Sequence, residues 1–544
     1  MLKPLGYPFW FKRMISIRNL SYHIAGRTLL NEVNLTLPAK HRFGFVGRNG
    51  TGKTTLFRLL LKEITADTGT IDLPKQINIL SIGQNTPQSD LSALDFLLST
   101  HKVRAALMHK LENCQAPEEL AALYEQLEAI DAFSAESKVA KILKGLGFSD
   151  KDQQRPLHTF SGGYRKRVAL AAALFQEPDV LLLDEPTNHL DFEAVLWLRK
   201  FLKTYPKTLL LISHDRSLLN DVAQSIIHLH HKKLKCYKGD YDQFEQNFAL
   251  QKMALAVYNK KVEAQKARWQ KFVDRFKAKP SKAAQAQSRI KAMQKLSTVM
   301  VPEDDPSLRF YFPEPAPLPS PFLSYDRLDL GYRSPSADNN NQDQTHLVLN
   351  NLSGRLNKED RIALLGQNGN GKSTFAKFLA GLLQPLNPHQ AKVTRLSKLR
   401  VGYFHQHQLE ALKADQTPLQ HMQDLGHKGN ETQWRTHLGN FALSDQKALT
   451  PVGNLSGGEK ARLAFALICT AAPHFLILDE PTNHLDMDMQ HSLINAVNRF
   501  SGAVIVVSHD WHFLENTVDQ LWLVAQQKVA PFNGTLQDYQ KAIA

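Results

Sequence analysis

Cysteine is scarce in this chain of 544 residues, which has only Cys114, Cys236 and Cys469. The three are far apart and have no metal-ligand spacing, so the sequence predicts neither a zinc site nor a disulfide framework. Long apolar runs are also missing, because none approaches the ~18 residues of a membrane-spanning helix. The most apolar segments, such as Val180–Leu183 and Ala503–Val507, have the length of buried parallel strands. These absences predict a cytoplasmic protein with reduced thiols and no membrane-embedded part.

Acidic residues are scarce in one part of the chain, residues 251–300. That segment has thirteen lysines and arginines against only Glu263 and Asp274, so it contributes +11 to the net charge of +14. Positive charge concentrated in this way is typical of proteins that bind the phosphate backbone of a nucleic acid.

The chain repeats four short motifs in the same order. The pairs are Gly47–Thr54 with Gly366–Ser373, Ser161–Gly163 with Ser456–Gly458, Asp184–Asp191 with Asp479–Asp486, and Ser213–Asp215 with Ser508–Asp510. The last three pairs are 295 residues apart, whereas Lys53 and Lys372 are 319 apart. The first repeat therefore contains extra residues upstream of Ser161. Repeats of this length predict two similar α/β domains in tandem.

The domain boundaries follow from the repeats and from composition. We expect an N-terminal extension over 1–13, a first domain over 14–236, a basic linker over 237–321 and a second domain over 322–544. Inside the first domain, apolar residues at helical spacing over about 94–133 predict an inserted helical pair, or alternatively a somewhat larger helical subdomain without a partner.

The linker has its own helical pattern. Apolar residues from Phe244 to Phe276 recur in steps of three, four and seven, which predicts a first helix about 55 Å long. Pro280 cannot continue a helix interior, and a second, shorter apolar stripe follows it. The pattern predicts an α-helical hairpin.

The motif Gly-x-x-x-x-Gly-Lys-[Ser/Thr] between a strand and a helix is a phosphate cradle, because its backbone N–H groups point inward at a helix N-terminus. Lys53 and Lys372 are predicted to contact the β- and γ-phosphates, and Thr54 and Ser373 to give a hydroxyl to Mg²⁺. The other predicted nucleotide contacts of the two loops are Gly47, Asn49, Gly50, Gly52, Thr55, Gly366, Asn368, Gly369, Gly371 and Thr374. Two such motifs predict two sites for ATP and Mg²⁺.

Carboxylates follow two apolar strands. Asp184 and Asp479 end these strands, where a carboxylate can bind Mg²⁺, and Glu185 and Glu480 come next, where they can activate the attacking water. The alternative is a pair of turn acids after a strand. The repetition of the motif favours the catalytic interpretation.

Two glutamines and two histidines recur at matching positions. Gln84 and Gln406 follow short apolar strands and would reach Mg²⁺ or the water, although each alone could be an ordinary surface glutamine. His214 and His509 follow the apolar strands predicted at Leu209–Ile212 and Ala503–Val507, where an imidazole could bond the γ-phosphate and couple its presence to closure. A single histidine there would more often be structural.

Ser161, Gly162 and Gly163 open a helix, as do Ser456, Gly457 and Gly458, so each domain has a second anion-binding N-terminus. Each domain already owns a phosphate cradle. The duplication is explained if the domains face each other head to tail, within one chain, with each ATP between the lysine of one domain and the serine of the other.

These motifs resemble the ATP-binding cassette superfamily over essentially the whole chain from Met14. The paired cassettes, the repeated Glu-Pro-Thr-Asn-His-Leu-Asp and the linker sequence Phe272–Lys291 are similar to the ABC-F subfamily, and among bacterial members to the YheS type. The fold implied is α/β, with two P-loop ATP-binding cassettes in tandem joined by an α-helical hairpin. The signature regions depart from Leu-Ser-Gly-Gly-Gln, because Phe160 precedes and Tyr164 ends the first and Glu459 ends the second. We therefore expect unequal hydrolysis rates.

The resemblance further implies a translation factor in the ribosomal E site, whose linker contacts P-site tRNA and which leaves on ATP hydrolysis. It implies that Tyr22 and Tyr332 stack on adenine and that the arm at about 94–133 touches ribosomal RNA or protein. The RNA contacts expected in the linker are Arg275, Lys277, Lys279, Lys282 and Arg289.

Three alternatives to this function are a transporter subunit, a DNA-directed or repair ATPase, and ribosome protection against antibiotics. A transporter subunit would borrow a membrane domain, but it has no need of a long basic hairpin between fused cassettes. A DNA-directed or repair ATPase would tolerate the basic linker, but the chain has neither zinc-site cysteines nor a very long coiled coil. Ribosome protection against antibiotics is a variant of the ribosomal function, and the short linker tip around Lys277–Lys282 makes it the less favoured variant.

Overall fold

The computed structural model consists of two α/β cassettes with a long helix between them. It describes residues 14–24, 26–74, 76–82, 87, 89–114, 117–188, 190–276, 288, 291, 293, 311–334, 344–405, 408–409, 411–425, 429–483 and 485–543. The predicted site residues that lie outside this set are Gln84, Gln406, Lys277, Lys279, Lys282 and Arg289.

Cassette 1 has two sheets. Its strands are β1 Ile15–Ile24, β2 Arg27–Leu37, β3 Arg42–Val46, β4 Thr68–Asp72, β5 Ile79–Ser81, β6 Val180–Asp184, β7 Thr208–Ile212, β8 Ser225–His230 and β9 Lys233–Lys238. The larger sheet has the order β5-β6-β7-β3-β8-β9 and is parallel except for β9. Strands β2-β1-β4 form an antiparallel sheet. Leu181, Leu182 and Leu183 are completely buried, because a central parallel strand is covered on both faces.

The helices of cassette 1 lie between these strands. They are α1 Lys53–Leu60, α2 Ala93–Thr100, α3 Lys102–Asn113, α4 Pro117–Ala129, α5 Ala135–Gly145, α6 Asp150–Gln153, α7 Gly162–Phe175, α8 Phe192–Lys203 and α9 Arg216–Val222, with a short 3-10 helix at Leu157–Thr159. Several begin at a side-chain cap: the carboxylates of Asp191 and Asp215 accept from backbone N–H groups of α8 and α9.

The inserted region contains α3 and α4, which pack on each other through a small separate core. Leu107, Leu127 and Ala132 are the buried residues of that core. The structure differs from the prediction at the start of the insertion. Leu94 and Leu97 belong to α2, which packs with α5 and α7 in the main core of cassette 1. The part of the insertion that stands apart therefore begins at Lys102, eight residues after Leu94.

The linker begins with α10, Tyr241–Phe276, a continuous helix of 36 residues. Phe244 is buried against cassette 1, where its ring stacks on Phe248 with a centroid distance of 5.7 Å. Tyr258, which belongs to the predicted apolar seam, is 46% exposed instead. Val262 is buried, so the seam is only partly covered within the described residues.

Cassette 2 repeats the architecture. Its strands are β10 Leu323–Ser334, β11 Gln344–Leu356, β12 Arg361–Leu365, β13 Lys392–Arg395, β14 Val401–Phe404, β15 Phe475–Asp479, β16 Ala503–Val507, β17 Gln520–Ala525 and β18 Lys528–Pro531. The larger sheet has the order β14-β15-β16-β12-β17-β18, and β11-β10-β13 form the antiparallel sheet. Its helices are α11 Lys372–Ala380, α12 Pro418–Asp424, α13 Glu431–Asn440, α14 Gly457–Thr470, α15 Met487–Arg499, α16 Trp511–Thr517 and α17 Leu536–Ile543, with 3-10 helices at Asp445–Leu449 and Val452–Asn454.

The two cassettes share an apolar contact. Phe192, the first residue of α8, is buried in the core of cassette 2, where it stacks on Trp511 at 5.5 Å and meets Tyr539 at 5.7 Å. Leu196, one turn further along α8, is buried in the same cluster. The cassettes are thus packed together by side chains that directly follow a repeated motif. Within the part of the chain described, no helix has the length and apolarity needed to cross a membrane.

Candidate nucleotide sites

Each phosphate-binding loop ends at a glycine in a conformation that other residues rarely adopt. Gly52 has φ 109° and Gly371 has φ 101°, and the helices α1 and α11 begin at the next residue, a lysine. Both lysines are buried, and burial lowers the pKa of both. Lys53 Nζ donates to the carbonyls of Gly47 at 2.5 Å and Arg48 at 3.1 Å.

The second loop has the same geometry. Lys372 Nζ donates to the carbonyls of Gly366 at 2.5 Å and Gln367 at 3.1 Å. Each ammonium thus folds back over its own loop and is held by neutral carbonyl oxygens. An anion in the loop would offer it a stronger, charge-assisted partner, so the loop fits a phosphate group.

The predicted metal ligands meet at the sheet edge. Thr54 Oγ1 donates to Asp184 Oδ2 at 2.6 Å, which brings a hydroxyl and a carboxylate from different elements together. In cassette 2, burial raises the pKa of Asp479, while a hydrogen bond from Ser373 acts in the opposite direction. Hard oxygen ligands of this kind suit Mg²⁺, which usually takes one or two protein ligands and completes its shell with phosphates and water. The donor set therefore fits Mg²⁺ with a nucleotide.

Glu185 and Glu480 occupy strained and half-buried positions. Their φ angles are 48° and 52°, in the left-handed region, and each backbone N–H bonds across to the neighbouring strand. Burial, and then the adjacent Asp184 or Asp479, raises the pKa of each to about 8. The Oε1 atoms of both are buried without a hydrogen-bond partner among the described residues. Such an oxygen can accept a proton from a water held beside it.

His214 and His509 lie beside these acids. His214 Nε2 is 3.5 Å from Glu185 Oε1 and 3.0 Å from Asn49 Oδ1, and His509 Nε2 is 3.4 Å from Glu480 Oε1. Burial lowers the pKa of both imidazoles to about 3, so both are neutral at neutral pH. Each can donate from one ring nitrogen and accept at the other.

Each signature segment faces the phosphate loop of the opposite cassette. One cavity of about 670 Å³ is lined by Lys53, Thr54 and Glu185 on one side and by Ser456–Gly458 on the other, and we call it the Lys53 site. A second cavity of about 460 Å³ is lined by residues of both cassettes, and we call it the Lys372 site. Its lining includes Ser161, Gly163, Tyr164, Lys372, Ser373, Asp479, Glu480 and His509.

Further contacts tie the cassettes together at these cavities. The backbone N–H of Asn49 donates to Asp486 Oδ2 at 3.4 Å, across 437 residues of sequence. Gln367 Nε2 donates to the carboxylate of Glu193 at 2.9 and 3.0 Å. Arg48 Nε is 3.6 Å from Asp488 Oδ2. Loop residues of each cassette are thus bonded to the segment that follows the acidic motif of the other.

Three predicted site residues, Tyr332, Tyr22 and Arg275, make contacts or have positions unlike those of the phosphate-loop and acidic residues described above. Tyr332 is 41% exposed, and its hydroxyl is 3.3 Å from Thr374 Oγ1. Tyr22 is partly buried against the core cluster that includes Leu30 and Phe45, whereas Ile24 and Leu29 line the cavity of the Lys53 site. Arg275 lies in α10, far from either cavity in sequence. The stacking of the two tyrosines on adenine remains a prediction.

Sequence reasoning missed residues that end the repeated acidic motif. Asp191 Oδ2 accepts from Arg167 Nη1 at 3.2 Å, with the arginine side chain only 3% exposed. Asp486 contacts the first phosphate loop, as described above. Both aspartates are the last residue of the duplicated eight-residue motif, so the repeat itself contained the signal.

Comparison with known proteins places the chain among ATP-binding cassette proteins. A family model described as ABC transporter matches residues 30–188 and 349–483, and a related model with the same description matches 227–310. The probable ATP-binding protein YheS of Haemophilus influenzae is 41% identical over 531 residues, which cover 97% of this chain and 82% of that protein. ATP-binding cassette sub-family F member 3 of Homo sapiens is 36% identical, over 96% of this chain and 73% of that protein.

Solved structures support the fold. The archaeal ribosome recycling factor aABCE1, in complex with the archaeal ribosomal stalk protein aP1, superposes with a TM-score of 0.57 at 17% identity, over 96% of this chain and 92% of that chain. The RNase-L inhibitor gives the same TM-score and identity over 97% and 92%. The predicted fold class of two tandem cassettes is thereby confirmed.

Proposed function

Since this chain belongs to the ABC-F subfamily of ATP-binding cassette ATPases, we propose that it is a ribosome-associated ATPase whose ATP-bound form binds ribosomal RNA and tRNA. In this proposal it occupies the ribosomal E site, its basic linker contacts P-site tRNA, and ATP hydrolysis releases it. Two structural neighbours, the archaeal ribosome recycling factor aABCE1 and the ABCE1 of a ribosome-bound complex with Pelota, support the ribosome as the general partner.

One observation carries the proposal: each nucleotide cavity is shared between the cassettes. In the Lys53 site the helix N-terminus at Ser456 faces the phosphate loop of cassette 1. A γ-phosphate in the cavity would accept hydrogen bonds from both cassettes and hold them together, and its loss would remove that link. Bound Mg²⁺ would neutralise phosphate charge at Thr54 and Asp184 and, in the other site, at Ser373 and Asp479.

Within each site the chain's own groups have separate tasks. The lysine and the loop amides hold the β- and γ-phosphates, and Glu185 or Glu480 accepts a proton from the attacking water. His214 or His509, neutral at pH 7, donates a hydrogen bond towards the terminal phosphate. Both acids are half-buried, which limits the access of other water to the reacting position.

The linker helix is bonded at its base to both cassettes. Arg216, the first residue of α9, is 2.8 Å from Asp242 and 2.9 Å from Glu245 in the first turns of α10. His491 of cassette 2 is 3.8 Å from the other oxygen of Glu245. A change in how the cassettes meet would therefore alter the contacts of α10, which exposes Lys260, Lys261, Arg268 and Lys271 along its length.

The test is a double variant, Glu185→Gln with Glu480→Gln. Removing both bases should lower phosphate release by about 100-fold or more and trap the ATP-bound form. We expect this variant to co-sediment with ribosomes in ATP but not in ADP, and cryo-EM of the complex would locate it. If the trapped protein stays in the supernatant in ATP, the ribosomal proposal is wrong even though the ATPase remains.

The basic linker is tested separately. Neutralising Lys277, Lys279 and Lys282 together should weaken ribosome binding and reduce the slope of log affinity against log salt, because about three fewer phosphate contacts would release counterions. Neutralising three surface lysines of cassette 1 that lie away from the linker is the control. An unchanged slope would show that the linker is only a solvated helix face.

A further inference from the structure

The two signature helices begin differently. At the start of α14, Ser456 and Glu459 form a reciprocal cap: the serine Oγ accepts from the backbone N–H of Glu459 at 3.3 Å, and Glu459 Oε2 accepts from the serine N–H at 2.9 Å. The serine hydroxyl itself donates to Glu459 Oε2 at 2.9 Å. At the start of α7, Ser161 makes no side-chain hydrogen bond to the first turn.

The residue three positions after the serine explains the difference between the two helix starts. Cassette 1 has Tyr164 where cassette 2 has Glu459. The Tyr164 ring stacks on Phe160 with a centroid distance of 5.8 Å and lies under the Arg167 guanidinium at 4.9 Å. Tyr164 has no carboxylate, and its phenolic oxygen is at the far end of the ring, so it does not replace the short-range acceptor that Glu459 provides to Ser456.

Glu459 is held in its position by charge. Lys447 Nζ is 3.0 Å from its Oε1, and Arg462 is 3.7 Å from the same oxygen. Burial favours the neutral acid, but the hydrogen bonds from Ser456 and Lys447 outweigh it, so the pKa of Glu459 is below its ordinary value. An anion therefore lies at the helix N-terminus that faces the phosphate loop of Lys53.

That carboxylate competes with a phosphate. The N-terminus of a helix attracts anions because its first N–H groups have no partner inside the helix. At α14 the Glu459 carboxylate already takes the serine N–H and hydroxyl, and it would repel a γ-phosphate brought to the same donors. At α7 the equivalent serine hydroxyl keeps its hydrogen for an incoming phosphate.

We propose that Glu459 is a positioning residue that makes the two ATP sites unequal, by engaging Ser456 and so weakening ATP binding in the Lys53 site. For that site to close around ATP, the Glu459 carboxylate must release Ser456. Lys447 and Arg462, which already contact Glu459, can then pair with its negative charge. The Lys372 site, which contains Tyr164, has no such step. This inference rests on the proposed position of ATP between the cassettes.

The test isolates one site at a time. Lys372→Ala leaves the Lys53 site, and Lys53→Ala leaves the other; affinity for the slowly hydrolysed analogue ATPγS is then measured by calorimetry. Glu459→Gln in the Lys372→Ala background should raise affinity about tenfold, because it removes the negative charge that repels the phosphate and leaves a weaker, neutral acceptor on the Ser456 hydroxyl. Glutamine still forms a capping box, so the helix start is retained. In the Lys53→Ala background the same substitution should change nothing.

Two further variants provide the reciprocal and the control. Tyr164→Glu in the Lys53→Ala background should weaken binding about tenfold, because it introduces the competing carboxylate. Asp152→Asn removes a carboxylate from another capping box, with Ser149, that lines neither cavity, and it should leave both affinities unchanged. Nucleotide-free melting curves of the Glu459→Gln protein should match the parent.

The outcomes separate this inference from the proposed function. If Ser456→Ala weakens binding in the Lys53 site while Glu459→Gln lowers affinity or leaves it unchanged, Glu459 is only a helix cap and the inference is wrong. If Ser456→Ala and Ser161→Ala have no effect on any site, ATP does not lie between the cassettes, and the proposed function is wrong independently of Glu459.

Discussion

In cassette 1 the phosphate loop follows β3, which lies between β7 and β8; in cassette 2 it follows β12, which lies between β16 and β17. Glu185 and Glu480 both have a positive φ, and both bond to the neighbouring strand through the backbone N–H. The strand ends next to the predicted catalytic acids therefore have the same strand order and the same backbone contacts in the two halves.

The helices outside the sheets differ much more. Between α2 and α5 cassette 1 contains α3 and α4, whereas in cassette 2 α12 is followed by α13 after a short connection. The signature of cassette 1 is set in an aromatic cluster of Phe148, Phe160 and Tyr164, and that of cassette 2 in an ionic cluster around Glu459. The two cassettes thus share the strand ends around the predicted reaction site and differ in the helices that surround it.

The largest effect should come from substituting the two predicted catalytic acids, Glu185 and Glu480, one at a time. At low ATP the Lys372 site should fill first, so Glu480→Gln should lower phosphate release about tenfold more than Glu185→Gln does. At saturating ATP the two single variants should become similar. Phosphate release measured across ATP concentrations checks this, and equal losses at every concentration would show that the two sites act as one unit.

The buried ion pair of cassette 1 should matter more than its counterpart. Arg167→Ala leaves the Asp191 carboxylate buried without its cation, which should cost about 3–5 kcal/mol. Arg462 occupies the equivalent position but its side chain is 14% exposed and its partner Glu459 also has Lys447. Arg462→Ala should therefore cost about 1 kcal/mol. Urea denaturation followed separately for each cassette, for example by hydrogen exchange, compares the two; equal costs would contradict the difference.

The acidic N-caps of α9 and α16 should give a pH-dependent stability. Burial, and then the charge of Asp215, raises the pKa of Asp510 to about 7. A raised acid pKa means that the folded state binds more protons, so its contribution to stability is lost as pH rises from about 4 to about 7. Asp510→Asn keeps the cap acceptor for Phe513 but removes the charge.

Asp510→Asn should therefore raise Tm at pH 8, by about 2–4 °C for each kcal/mol that the charged carboxylate costs the folded state. At pH 4, where the carboxyl is protonated in the folded state, Tm should be unchanged. Melting curves of the nucleotide-free protein across this range check the prediction. Asp538→Asn, which removes a carboxylate that is exposed, is the control. A variant that loses stability at pH 8 would show that the charge of Asp510 is favourable.

The smallest global effect should come from the arm of α3 and α4. Leu127→Ala removes a completely buried side chain from the small core of the arm and should cost about 2–5 kcal/mol locally. Because this core is separate from those of the cassettes, opening should stay local. Hydrogen exchange should accelerate over 102–129, with Tm and ATP turnover nearly unchanged. Loss of ATPase activity would mean that the arm belongs to the cassette core.

Much of this could be predicted from sequence, because the chemistry sits in short contiguous motifs. The two tandem cassettes and the ATPase activity are confirmed. The capping box of Ser456 and Glu459 was also readable, since serine followed three residues later by glutamate before an apolar run is its signature. The same segment is also a predicted phosphate contact, and the sequence alone does not say which of the two roles the serine fills.

Other features depend on distances along the chain that no local pattern reports. Asn49 and Asp486 meet across 437 residues. The exact start of the arm is not readable from sequence, because Leu94 and Leu107 both recur at helical spacing and periodicity does not say which core a helix joins. The low pKa values of His214 and His509 come from burial by elements of both cassettes.

Helix α10 runs unbroken for 36 residues from a base that both cassettes grip, which makes it a lever. At about 1.5 Å per residue it is about 54 Å long, so tilting its base by about 5° carries its far end through about 5 Å. If the proposed function is right, a small displacement at the nucleotide would be amplified along α10 to a movement as wide as a nucleic-acid contact, and a break in the helix would uncouple the two ends.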